Sequence, residues 1–247
     1  MAIMAAREIK DGDIVFAGTG ISILAAMAAK NINAPNSIIF FETGAIDSLI
    51  EELPLAVADP RVMYYSASNG GLLEAFSTMQ NRITGDRVIA ILGAAQIDPY
   101  GNLNTTVIGD YHMPKVRFSG SGGGCDVASF APRCIAFMQH EKRKFVKNLD
   151  YLTSPGQLRG GQSRQKAGLR PGGVNMVITD KAVLRMDSNS GKLYLDAFYP
   201  GLLPKDITAN MHFSINTSKA REAKPPSDLE LETLRTKCDP QRLILRS

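Results

Sequence analysis

Cysteine and histidine are scarce in this chain of 247 residues, with three of each. Cys125, Cys134 and Cys238 are odd in number, lack CxxC spacing and have no histidines at zinc-ligand offsets, which speaks against a disulfide framework or a thiolate metal site. Reduced thiols in a reducing compartment, the cytoplasm, fit that usage. Charge of one sign is also in short supply. A net charge of +4 is small for this length, and no segment interleaves aromatics with a long basic run, so no nucleic-acid partner is expected. No stretch reaches the roughly 18 uninterrupted apolar residues of a spanning helix. The N-terminus lacks the charged, then apolar, then cleavable pattern of a leader, and no membrane partner is expected. Internal repeats and low-complexity tracts are absent.

What is present is apolar material, 44% of residues, enough to bury a full core. One domain over residues 1–247 is the leading expectation, with two smaller domains as the alternative. From Asp13 an apolar strand leads through Gly18-Thr19-Gly20 into an alanine-rich helix over 21–30. A second strand, 37–41, ends abruptly at Glu42-Thr43-Gly44. Further strands are expected at 62–65, 88–92 and 134–138, with a helix over 71–81. Short, nearly all-apolar strands alternating with helices predict an open, mainly parallel α/β sheet. Later strands at 174–179, 182–186 and 192–197, separated by polar turns, predict a C-terminal antiparallel meander. The aperiodic stretch 159–173 reads as a long loop, or as mobile without a partner. A Ser-Asp start predicts a short helix over 227–235.

Several features could carry chemistry, and each has a plainer reading. Gly18-Thr19-Gly20 lacks the third glycine of a dinucleotide fingerprint, since Ile23 stands there, so a packing turn competes with a phosphate cradle. The run from Ser119 to Asp126 has no P-loop lysine. Its consecutive glycines either connect two elements or let main-chain N–H groups converge on a developing oxyanion. Glu42 ends an apolar strand where open α/β sheets place their sites, although a solvated carboxylate is the simpler alternative. His112, His140 and His212 show no metal-like clustering, and His140 reads as a strand-end polar residue. The run Glu141-Lys142-Arg143-Lys144 with Lys147 is either a solvated helical turn or a grip for a polyanion such as the coenzyme A phosphates.

Taken in order, several segments resemble the β half of class I coenzyme A transferases, in particular the B-subunit type of the glutaconate CoA-transferases. They are Asp11-Gly-Asp-Ile-Val with Gly-Thr-Gly, Phe41-Glu-Thr-Gly, Gly93-Ala-Ala-Gln-Ile-Asp-Pro-Tyr-Gly-Asn, Ile108-Gly-Asp-Tyr-His-Met-Pro-Lys, Gly120-Ser-Gly-Gly, Met138-Gln-His-Glu-Lys-Arg and Thr153-Ser-Pro-Gly. The resemblance covers nearly the whole chain. It implies an open α/β fold, a partner α subunit, and acyl-CoA and carboxylic acid substrates, with coenzyme A as substrate and no cofactor. It implies ping-pong exchange through a glutamyl-CoA thioester on Glu42, oxyanion donors at the Gly123 and Gly124 N–H groups, and CoA contacts from Arg143, Lys142 and Gly120. Two departures stand out: Gly124 where alanine is common, and Thr43 where serine or asparagine usually follows the glutamate. Decarboxylases and ring-opening hydrolases of this fold lack the glutamate and rank second. A ligand-sensing module ranks third, because no DNA-binding helix pair precedes Asp11.

Overall fold

The computed structural model describes residues 1–245. The chain divides into two compact units, Met1–Leu92 together with the stretch from Pro226, and Gly93–Pro225.

The first unit opens with helix α1 (Ala2–Ala6), strand β1 (Ile14–Ala17) and helix α2 (Ile21–Ile32). Alanine and leucine give α2 its helical preference, and its residues from Ser22 to Ala29 are all buried. Strands β2 (Ile38–Phe40), β3 (Ala45–Ile46) and β4 (Ser68–Asn69) follow, then helix α3 (Leu72–Gln80) and strand β5 (Val88–Gly93). The Glu74 carboxylate accepts the Gly71 N–H at 2.8 Å, satisfying a donor at the start of α3. β1 pairs in parallel with both β2 and β5, and all four of its residues are buried. That is why these strands read as continuous apolar runs rather than alternating ones. β3 and β4 continue antiparallel from β2.

The strand expected at 62–65 is corrected: Pro60–Met63 is a 3-10 turn. Asp59 accepts the Arg61 N–H at 3.1 Å and the Arg61 guanidinium at 2.6 Å, and Pro60 fills the first helical position, where no N–H is needed. Tyr65 then takes a positive φ of 49°, which no strand residue adopts.

In the second unit, β6 (Gln96–Ile97) pairs with β7 (Leu103–Asn104), and β8 (Val107–Gly109) forms a hairpin with β9 (Pro114–Arg117). Helix α4 (Gly124–Phe130) leads to β10 (Arg133–Phe137), and a short helix α5 (Ser163–Lys166) precedes β11 (Val174–Ile178). β10 and β11 are parallel. From β11 the chain meanders antiparallel through β12 (Ala182–Asp187) and β13 (Lys192–Phe198), the C-terminal meander expected from the sequence. Helix α6 (Pro204–Thr208) and strand β14 (Arg221–Glu222) complete the unit.

The stretch 159–173, expected to be a loop, carries the short helix α5 in its middle and is built around a buried charge. The Arg164 guanidinium donates to the carbonyls of Ala128, Ser129, Pro155, Gly156 and Arg170 at 2.6–3.0 Å. A second knot explains the Gln-Ile-Asp-Pro-Tyr-Gly-Asn segment. Asp98 accepts the N–H groups of Tyr100 and Asn102, while the Asn102 side chain accepts those of Gly156 and Leu158.

From Pro226 the chain returns to the first unit as helix α7 (Asp228–Thr233), with Ser227 and Glu230 exchanging capping bonds. Glu230 also holds Arg7, just after α1, through two contacts of 2.6–2.7 Å. Among the described residues, no helix is long and apolar enough to cross a membrane.

Candidate active site

Glu42 lies in the turn that joins β2 to β3. The Gly44 N–H donates to the Phe41 carbonyl at 3.0 Å, closing a four-residue turn with Glu42 and Thr43 at its corners, and the Phe41 N–H donates to the Ala45 carbonyl at 3.0 Å. Gly44 has φ 99°, and a Cβ there would lie 2.4 Å from the Gly70 carbonyl oxygen. Only glycine satisfies both constraints. The turn is further fixed by the Gly70 N–H on the Gly44 carbonyl at 2.9 Å, and by Phe40 and Phe41, both buried. Glu42 is half-buried, and among the described residues its carboxylate has no hydrogen-bond or ion-pair partner. The rigid turn therefore presents an unpaired acid. Beside it, the Thr43 hydroxyl is buried and likewise has no partner among the described residues, a feature sequence reasoning missed.

The other candidates lie in the second unit. The glycine loop is hung on Thr105, whose carbonyl accepts the Gly120 N–H at 3.1 Å and whose hydroxyl donates to the Gly120 carbonyl at 2.8 Å. Gly120 and Gly122 have φ of 92° and 47°. The Gly124 N–H donates to the Ser121 carbonyl at 2.8 Å, and the Cys125 N–H to the Ser121 hydroxyl at 3.0 Å. Among the described residues the Gly123 N–H has no acceptor. A Cβ at Gly124 would sit 3.1 Å from the Ser154 hydroxyl, closer than an ordinary contact.

The basic run forms a 3-10 turn over Lys142–Lys144. Glu141 accepts Arg143 Nε at 2.6 Å and lies 3.3 Å from Lys144 Nζ. The largely exposed Arg143 guanidinium is held above its ordinary value by its hydrogen bond to Glu141, and the same hydrogen bond holds Glu141 below the ordinary carboxylate range. Arg143 and Lys144 line a cleft of about 540 Å³ together with Gln96, Thr105, Phe118 and Ser119, the residue before Gly120. That volume suits an organic ligand. Lys142 is exposed and does not line the cleft. The structure thus brings together Arg143 and the start of the glycine loop, and adds Lys144, Gln96 and Ser119.

His140 anchors this turn from beneath. Its N–H donates to Asp180 at 2.6 Å, its ring packs 4.5 Å from that of Phe145, and Nε2 lies 3.0 Å from the Ile207 carbonyl. Burial pushes the imidazole below its ordinary value, so the ring is neutral, and Nδ1 has no partner among the described residues. Cys125 is exposed, whereas Cys134 and Cys238 are buried free thiols. No group of three or more metal-type ligands occurs among the described residues.

A family model described as Coenzyme A transferase matches residues 1–210. The chain is 39% identical to the B-subunit of glutaconate CoA-transferase from Acidaminococcus fermentans, over 99% of this chain and 93% of that protein. It is 32% identical to the B-subunit of 3-oxoadipate CoA-transferase from Pseudomonas knackmussii, over 95% of this chain and 90% of that one. The crystal structure of glutaconate coenzyme A-transferase from A. fermentans superimposes with a TM-score of 0.96 and 38% identity, covering 100% of this chain and 95% of that chain.

Proposed function

The chain belongs to the coenzyme A transferase family, as a CoA-transferase chain of the B-subunit type, and from that premise we propose that Glu42 is its covalent nucleophile. The observation that carries this is an unpaired, half-buried carboxylate on a turn rigid enough to hold it ready. The carboxylate attacks the acyl-CoA thioester carbonyl, expelling CoA thiolate and leaving a mixed anhydride. The thiolate attacks the glutamyl carbonyl, releases the first acid and forms a glutamyl-CoA thioester. A second carboxylate then reverses both steps and leaves as acyl-CoA, with Glu42 restored.

Each addition makes a tetrahedral oxyanion. The donors in this reading are the Gly123 N–H, which has no acceptor among the described residues, and the Gly124 N–H, which exchanges the Ser121 carbonyl for the oxyanion. Arg143, on the cleft wall, grips a CoA phosphate; the Gly120 main chain, next to the lining residue Ser119, and the exposed Lys142 outside the cleft are the secondary contacts in this reading. The enzyme needs no cofactor beyond its thioester substrate, and its partner is an α subunit. Glutaconate and 3-oxoadipate, named in two relatives, are dicarboxylic acids, and a dicarboxylic acid is the proposed substrate class here.

The test is to incubate the complex of this chain and its partner subunit with acyl-CoA, reduce with borohydride and map the peptides. Glu42 is the residue expected to be reduced, and Glu42→Ala is expected to lower kcat by more than about a thousandfold. An unmodified Glu42 in an enzyme that still exchanges CoA overturns the assignment.

A further inference from the structure

Beyond the cleft beside Arg143, the second unit has a larger groove of about 720 Å³ that the catalytic reading does not use. Lys147, Lys205 and His212 line it with the hydroxyl-bearing Thr208 and Thr217, and no aspartate or glutamate is among its lining residues. Neither lysine ammonium has a hydrogen-bond or ion-pair partner among the described residues. The nearby Asp206 carboxylate is turned to its own backbone, accepting the Leu203 N–H at 2.8 Å. Uncompensated cations around one concavity repel each other unless an anion joins them. Apart from Ser214, the remaining wall is apolar and includes Phe213, whose ring lies 6.4 Å from that of Phe145.

The groove and the cleft share one segment of chain. Lys144 lines the cleft and Lys147 the groove, so three residues, at most about 11 Å of extended chain, separate them. Between them Phe145 is buried, and its carbonyl accepts the His212 N–H at 2.8 Å, stitching the basic segment to the groove wall. Coenzyme A is linear, with its thiol at one end and a doubly phosphorylated adenosine at the other. A mixed polar and apolar cleft next to an acid-free cationic groove matches that polarity.

We propose that the groove of Lys147, Lys205 and His212 binds the 3′-phosphorylated adenosine end of coenzyme A while the pantetheine arm runs through the cleft toward Ser119. This rests on the transferase reading. Arg143 on the cleft wall keeps the 5′-diphosphate, the lysines supply charge to the 3′-phosphate, the Thr217 hydroxyl donates to a phosphate oxygen, and the apolar side chains carry the base.

The experiment is calorimetric titration of the full chain with adenosine 3′,5′-bisphosphate, CoA, dephospho-CoA and pantetheine. Wild type is expected to bind the bisphosphate, and to bind CoA more tightly than dephospho-CoA. Each of Lys147→Ala and Lys205→Ala is expected to weaken the bisphosphate and CoA about tenfold, with pantetheine unchanged. Lys147→Arg is expected to restore most of the loss. Absence of bisphosphate binding, or lysine variants that bind CoA normally while Arg143→Ala does not, overturns the groove and leaves the transferase reading standing. Bisphosphate binding that CoA fails to displace marks a separate nucleotide site and also overturns the proposal. An unmodified Glu42 in the borohydride test instead removes the catalytic reading without changing these titrations.

Discussion

Gly123 has φ −78° and ψ 0°, angles that any residue can adopt. A side chain there therefore tests access to its N–H rather than backbone strain. We expect Gly123→Val to keep its melting temperature and to lose on the order of a hundredfold or more in kcat, the loss typical of one oxyanion donor. Near-normal turnover would make the loop a connector. Glu42 stood out in the sequence as an acid ending an apolar run, where a solvated carboxylate was the simpler reading, and only the resemblance to the transferases made it the proposed nucleophile. Arg143 was singled out by the same resemblance, with Lys142 as its rival, because composition alone leaves a lysine-rich run as a solvated turn. Thr43 was not, because a threonine in a turn looks ordinary until its hydroxyl proves buried without a partner. Arg164 was not either: among glycines, glutamines and serines it reads as a solvated loop residue, and only tertiary contacts reveal five carbonyls around it.

At the scale of elements, two turns give separate predictions. Gly44→Ala places a methyl against the Gly70 backbone in a left-handed conformation and is expected to destabilise by about 2–4 kcal/mol. Equilibrium urea unfolding measures that, and an unchanged midpoint would show that the turn yields. Arg164→Met keeps the length of the side chain but leaves five carbonyls without their donor, at a cost expected to reach about 3 kcal/mol or more. Limited proteolysis is then expected to cut within 159–173 sooner than in wild type. The central strands and main helices were legible because their periodicity and alanine content agree with their burial. The strand misread at 62–65 had the right apolar composition, but the Asp59 cap and Pro60 imposed a turn, a local hydrogen-bond choice that hydropathy does not register.

Across the whole molecule, acid should act in two stages. His140 is held neutral by burial, so its folded pKa lies below the ordinary 6.5. The unfolded chain binds the extra proton, and stability falls as pH drops below about 6.5. Glu230 is depressed from 4.5 to about 2, chiefly by its hydrogen bonds with Arg7, so its contribution is full above 4.5 and is lost progressively as pH falls toward 2. Thermal unfolding across both windows should show His140→Gln flattening the first and Glu230→Gln the second, with Glu230→Gln costing about 1–2 kcal/mol at neutral pH. A Glu230→Gln profile that still falls between 4.5 and 2 as steeply as wild type would show that the pair contributes nothing. The Arg7 and Glu230 contact joins the stretch after Pro226 to the opening helix, with the whole of Gly93–Pro225 intervening in sequence. Helix α7 also packs against α2, so during synthesis Gly93–Pro225 has all its residues outside the ribosome first, while Met1–Leu92 waits for its last helix and that side of α2 lacks its cover. A chaperone attending this chain would be needed for the part made earliest.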